Sequence, residues 1–92
     1  MTGKKEFTVT VYMQNRTGVL NRVSIIFSRR RVNIESLNVT SSEMPGIKKV
    51  VFVLSEAEEA MRKIIRQIEK QIDVLQVYHH INSPVSAIVS NN

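Results

Sequence analysis

The chain has no cysteine among its 92 residues. That absence removes disulfides, thiolate nucleophiles and zinc-thiolate sites together, and it suits a reducing cytosol. No apolar run approaches the roughly 20 residues that a helix needs to cross a bilayer. The start, Met1-Thr2-Gly3-Lys4-Lys5-Glu6, leads into an alternating strand instead of an apolar h-region, so no secretory leader is visible. Together these absences predict a soluble, cytoplasmic protein with no membrane contact. Catalytic signatures are missing as well: there is no nucleophile–base spacing, no phosphate loop and no paired acidic motif. His79 and His80 are the only histidines, and adjacent strand residues point to opposite faces. They do not chelate one ion, so no metal and no catalytic residue is expected.

What is present is a basic balance, with 13 Lys and Arg against 8 Asp and Glu and a net charge of +5. Such a charge invites a nucleic-acid reading. Its distribution argues otherwise. Arg29, Arg30 and Arg31 close a helix, where cations favour the C-terminal end of the dipole. Lys4-Lys5 and Lys48-Lys49 flank strands, and Arg62, Lys63, Arg66 and Lys70 share a helix with Glu58, Glu59 and Glu69. The pattern is a solvated surface, not a phosphate track. A chain of this length fits one domain with one core, and a partner chain would help it bury surface.

Hydrophobic periodicity orders the elements. Glu6 to Met13 alternates, with Phe7, Val9, Val11 and Met13 on one face. From Val19 to Arg31 the residues Val19, Leu20, Val23, Ile26 and Phe27 recur at helical spacing, with Thr17 as N-cap. Asn33 to Ser41 reads as a strand with Leu37 and Val39 on one face and Ile34 on the other. A turn at Glu43-Met44-Pro45-Gly46 leads to a third strand, Ile47 to Leu54, whose unbroken apolar run predicts burial on both faces. Ser55 to Glu58 has the form of a capping box ahead of a helix with the stripe Met61, Ile64, Ile65, Ile68 and Ile72. Val74 to Ile81 is a last strand, and 82–92 is expected to be a flexible tail after a domain at 5–81. The order βαββαβ, with right-handed crossovers, predicts a ferredoxin-like α+β fold: an antiparallel sheet ordered 4-1-3-2 with two helices on one face. The second strand is then an edge without proline or lysine, open to pairing with another chain.

One stretch concentrates chemistry. Asn15-Arg16-Thr17-Gly18-Val19-Leu20 places a glycine at the mouth of a helix, with Asn33 at the start of the next strand. A glycine there allows close approach to the backbone, and free N–H groups at the positive end of the dipole receive a carboxylate. Asparagine side chains both donate and accept, which suits the two charged groups of an amino acid. A helix-entry glycine and turn asparagines capping locally would explain the same residues without a ligand.

The run Asn15 to Val23 resembles the first turn of ACT domains. With Phe27-Ser28-Arg29-Arg30, Asn33-Ile34-Glu35-Ser36-Leu37 and Gln67 to Leu75, the chain from about Phe7 to Val77 is similar to the small regulatory subunits of acetolactate synthase, also called acetohydroxyacid synthase. The resemblance implies a non-catalytic subunit that activates a catalytic subunit and makes it respond to branched-chain amino acids, chiefly valine. It implies no cofactor in this chain, with thiamine diphosphate, FAD and Mg on the catalytic subunit. It also implies a homodimer through the second-strand edge. Asn15, Gly18, Val19 and Leu20 of one copy would hold the effector with Asn33 and Ile34 of the other. The resemblance does not extend to a second, C-terminal domain that many relatives carry. A stand-alone amino-acid-binding ACT protein is the nearer alternative. An RNA-binding module shares the topology, but it stacks bases on aromatics of the central strands. Here only Phe52 and Tyr12 are read as sharing a face, so no nucleic acid is expected.

Overall fold

A computed structural model of the chain describes residues 3–16 and 18–82. The elements are β1 (Lys4–Gln14), α1 (Val19–Arg29), β2 (Ile34–Ser41), β3 (Ile47–Ala57), α2 (Glu58–Glu69) and β4 (Val74–Ile81). The four strands make one antiparallel sheet in the order β2-β3-β1-β4, so the ferredoxin-like arrangement is as the sequence predicts. No helix among the described residues is long and apolar enough to cross a membrane.

Alternation along β1 decides which face is covered. Phe7, Val9 and Val11 are buried and stand opposite Leu54, Phe52 and Val50 of β3. Onto them pack Val19, Val23, Ile26 and Phe27 of α1 and Met61, Ile64, Ile65 and Ile68 of α2. The Phe27 and Phe52 rings meet at 4.7 Å between centroids, pinning α1 to the central strand. Fully burying side chains of this kind contributes about 1.5–3 kcal/mol each. The helices lie chiefly over β1, β3 and β4. Leu37 and Val39 of β2 therefore stay 45% and 40% exposed at the rim of the covered face.

Several local expectations are corrected. The β2–β3 register shifts by one residue between Ile34 and Ser36, after which Leu37 opposes Phe52 and Val39 opposes Val50. Ile34, opposite Leu54, thus shares their face and packs on the core, because a bulge resets the period of two. β3 runs on to Ala57 because Lys4 and Lys5 pair with Ala57 and Glu56. Ser55 is therefore strand, its hydroxyl donates to Glu35 Oε2 at 2.8 Å, and Ala57 takes the N-cap of α2 without a side-chain cap. The capping box does not form. Val51 and Val53 are only half-buried, flanked by Thr10 and Asn38 and by Thr8 and Ser36 on a face that no helix among the described residues covers. Ile72 falls beyond α2 and is 92% exposed instead of completing its stripe.

The predicted cap Thr17 and the tail from residue 83 onward lie outside the described residues. Asn82, read as the first tail residue, is fixed to β1. Its backbone N–H donates to the Glu6 carbonyl at 2.8 Å, and its side chain bonds Thr8 and Glu6.

Candidate functional site

The mouth of α1 is built by the strand that precedes it. β1 ends at Gln14, whose N–H donates to the Asp73 carbonyl at 2.8 Å, and Asn15 N–H donates to the Gly46 carbonyl at 2.9 Å. The chain then turns through Gly18 at φ +94°, a left-handed conformation that penalises any Cβ. Gly18 occupies the N-cap, no side chain among the described residues caps the helix, and its first turn holds no acidic residue. Of the N–H groups of that turn, Val19 donates to the Arg16 carbonyl at 3.3 Å, and Leu20 has no backbone acceptor among the described residues. This is a receptive end for an anion.

Two arginines and an aspartate frame it. The Arg22 guanidinium pairs with the Asp73 carboxylate, and Arg16 Nη1 lies 3.8 Å from the second Asp73 oxygen. Asp73 is mostly buried, its side chain 15% exposed. A Cβ on Gly18 would meet Arg22 Nη1 at 3.8 Å, so this guanidinium borders the mouth. Sequence reading missed these groups. Arg22 and Asp73 are 51 positions apart, and only the packing of α1 against the α2–β4 turn joins them.

The six predicted site residues fall into two groups. Asn15, Gly18, Val19 and Leu20 lie together where β1 ends. Val19 is buried in the core and Leu20 packs against it, so both present backbone to the mouth. Asn33 and Ile34 lie at the other end of the sheet. Ile34 aligns with Leu54 and hence with Phe7, whereas Gln14 aligns with Ile47. Phe7 to Gln14 spans roughly 23 Å of strand at about 3.3 Å per residue. One chain does not bring the two groups together. Neither Asn15 nor Asn33 makes a side-chain hydrogen bond among the described residues, so neither serves as a local cap.

Other candidates are settled by register. His79 opposes Val9 and contacts the Phe7 ring at 6.4 Å on the covered side, while His80 opposes Thr8 on the open side. Phe52 is core, so it does not share a face with Tyr12 as the sequence reading had it. Tyr12 instead meets Tyr78 of β4 edge to face at 6.1 Å. These rings help line a groove of about 660 Å³ on the open face.

Comparison with known proteins bears on this geometry. Residues 9–76 match the family model described as AHAS small subunit-like ACT domain. The chain is 38% identical over 78 residues to the acetolactate synthase small subunit of Bacillus subtilis, covering 84% of this chain and 45% of that protein. It is 36% identical over 77 residues to the small subunit of Mycobacterium leprae, covering 84% and 46%. Among solved structures it superposes on the acetolactate synthase small subunit of Thermotoga maritima with a TM-score of 0.74 at 29% identity, over 90% of this chain and 50% of that one. The ACT domain of a Chlorobium tepidum GTP pyrophosphokinase, at 13% identity and a TM-score of 0.71 over 84% and 99%, shares the fold. The chain spans about half the length of the bacterial relatives it matches. Fold, sequence and family model agree that this chain belongs to the ACT domains of the acetolactate synthase small-subunit family.

Proposed function

We propose that this domain is a non-catalytic regulatory module. In this reading it activates the acetolactate synthase catalytic subunit and makes it respond to a branched-chain amino acid, chiefly valine. The reaction and its cofactors (thiamine diphosphate, FAD and Mg) belong to the catalytic subunit. The observation that carries the reading is the placement of the two residue groups at opposite ends of one chain, beside an unblocked edge strand.

Antiparallel pairing of β2 with its counterpart in a second copy extends the sheet through a two-fold axis. It sets the start of one β2 beside the end of the other. Asn33 and Ile34 of one protomer then approach the end of the sheet that carries Asn15 and Gly18 of its partner. The Leu20 backbone N–H and the Asn15 amide receive the effector carboxylate, joined by the Val19 N–H once it leaves the Arg16 carbonyl 3.3 Å away; Asn33 accepts from its ammonium. Ile34, half-buried on the core, gives an apolar wall to a short aliphatic side chain. A ligand that bridges two copies binds one relative arrangement better than others, and so shifts the population toward it.

The test is acetolactate formation by the cognate catalytic subunit, with and without this protein, across valine concentrations. Activity should rise on adding the protein and fall as valine is titrated. No change on addition would refute the reading.

A further inference from the structure

The exposed apolar side chains include a group away from the β2 edge. Tyr78, Met44 and Leu75 are 55%, 50% and 44% exposed, and all three line the groove of about 660 Å³ on the open face. Its walls are preformed. On one side the β2–β3 turn is held by Ser42 N–H to Ile47 O at 3.0 Å, Ile47 N–H to Met44 O at 3.2 Å, and the Ser42 hydroxyl at 3.1 Å from Met44 N. On the other, the β1–β4 register slips between Tyr12–Gln76 and Met13–Val74, which leaves Leu75 as the inserted residue. A bulge of this kind re-aims a side chain, and Leu75 enters the groove.

Lys49 lies at the floor, in register with Tyr12 on one side and Thr40 on the other. It is half-buried, and among the described residues no carboxylate lies within 4.0 Å of it. Glu43 at the rim is the groove's acidic residue. A half-buried lysine between aromatic and aliphatic walls is complementary to an anion attached to an apolar body.

The walls of the groove are tied to the mouth of α1 by backbone hydrogen bonds. The loop that begins at Asn15 is bonded to Gly46 at the end of one wall, and Gln14 is bonded to Asp73 next to the other. Arg22 and Arg16 reinforce the second tie through the Asp73 carboxylate. A ligand that repositions the Asn15–Gly18 turn therefore pulls on both walls.

We infer that this groove is the docking site for a segment of the catalytic subunit, one that presents an aromatic or long aliphatic side chain to Tyr12, Tyr78, Leu75 and Met44 and a carboxylate to Lys49. The inference rests on the functional reading above and names the surface through which it acts. An amphipathic anchor in a preformed cleft is the usual form of an interface hot spot.

The test uses the full chain and the cognate catalytic subunit, with association measured by calorimetry. Lys49→Glu and Tyr78→Ala, each checked for an unchanged circular dichroism spectrum, should weaken association about tenfold or more. Met44→Lys, in the exposed turn, should do the same if either of the first two fails to fold. Valine affinity and sedimentation of the isolated variants should match the unaltered chain. Arg62→Glu on the helix-covered side should leave association unchanged, and Asn33→Ala should weaken valine binding about tenfold or more but keep association. If the unaltered chain associates and these groove variants associate equally well, the docking inference is overturned while the regulatory reading stands. If the groove variants instead lose valine affinity, the cleft holds the effector; if they lose the dimer, it joins two copies; if they abolish binding of a poly(U) oligonucleotide by the unaltered chain, it holds RNA. Each of those results overturns the inference. Failure of the unaltered chain to bind or activate the catalytic subunit overturns both readings together.

Discussion

Gly18 carries two separable properties, a backbone conformation and an empty position in front of helix N–H groups. At φ +94° any side chain costs about 1–2 kcal/mol of local strain, with Asn and Asp the most tolerant. Space is not the obstacle, since a Cβ there makes ordinary contact with Arg22 at 3.8 Å. Gly18→Asn and Gly18→Asp therefore share the strain and differ by one charge. Gly18→Asp puts a carboxylate where the effector's own would bind, so its valine affinity should fall at least about tenfold below that of Gly18→Asn. Equal affinities by calorimetry would remove the mouth of α1 as the carboxylate site. Asn33 is exposed and its side chain is unbonded among the described residues, so Asn33→Ala should leave the melting temperature unchanged. In the proposed site it bonds the effector's ammonium; losing such a bond to a charged group costs about 1.5–3 kcal/mol, so valine affinity should drop roughly tenfold or more. The turn at Gly18 was legible because a glycine's conformational freedom is local to the residue. Arg22 and Asp73 were not, since nothing in either's neighbourhood announces a pairing 51 positions away.

The end of α1 shows how far an element's rules reach. Val32 N–H donates to Phe27 O at 3.1 Å and Arg31 N–H to Ser28 O at 3.0 Å, the paired bonds of a Schellman motif. Val32 packs on the core beside this cap, as the motif's hydrophobic contact requires. The residue that must be left-handed is Arg31, at φ +57°, where glycine is preferred. Arg31→Gly should raise stability by about 1 kcal/mol, read as a higher urea midpoint with unchanged slope. A lower midpoint would mean that the Arg31 side chain contributes more than its backbone strain costs. Element types and order were readable from periodicity, because the core stripes of β1, α1 and α2 are strict in period. The misreadings sit where pairing overrides local signal. Ser55 to Glu58 has the residues of a capping box, yet Lys4 and Lys5 recruit Glu56 and Ala57 into the ladder and push the helix start to Glu58. The bulge after Ile34 and the one around Leu75 break the period of two without any glycine or proline to mark them. The run Val50 to Leu54 suggested two covered faces, but Val51 and Val53 lose water only to neighbouring side chains in the sheet.

At the scale of the molecule, the unanswered surface on the covered side is the rim at β2. Leu37 and Val39 belong to the same face as the core, but the helices leave them 45% and 40% exposed, and among the described residues the strand that carries them has an unpaired edge. An open edge with an apolar flank is a template for a further strand, and a second copy of this chain supplies one with matching apolar residues. Pairing β2 with β2 would bury Leu37 and Val39 and, in the same step, complete the effector site from both ends of the sheet. Assembly and ligand binding are then one linked equilibrium, so valine should strengthen the dimer and dimerisation should strengthen valine binding by the same factor. Sedimentation of the isolated chain at micromolar concentration should show a dimer. Leu37→Lys with Val39→Lys should give a folded monomer, because both positions are already exposed enough to carry a charge without entering the core. That monomer should bind valine at least about tenfold more weakly, having lost the contacts of Asn33 from its partner. It should also fail to confer valine inhibition on the catalytic subunit. A monomer that still transmitted full inhibition would place the effector within one chain. Asn33 and Gly18, at opposite ends of the roughly 23 Å of β1 from Phe7 to Gln14, would then have unrelated tasks.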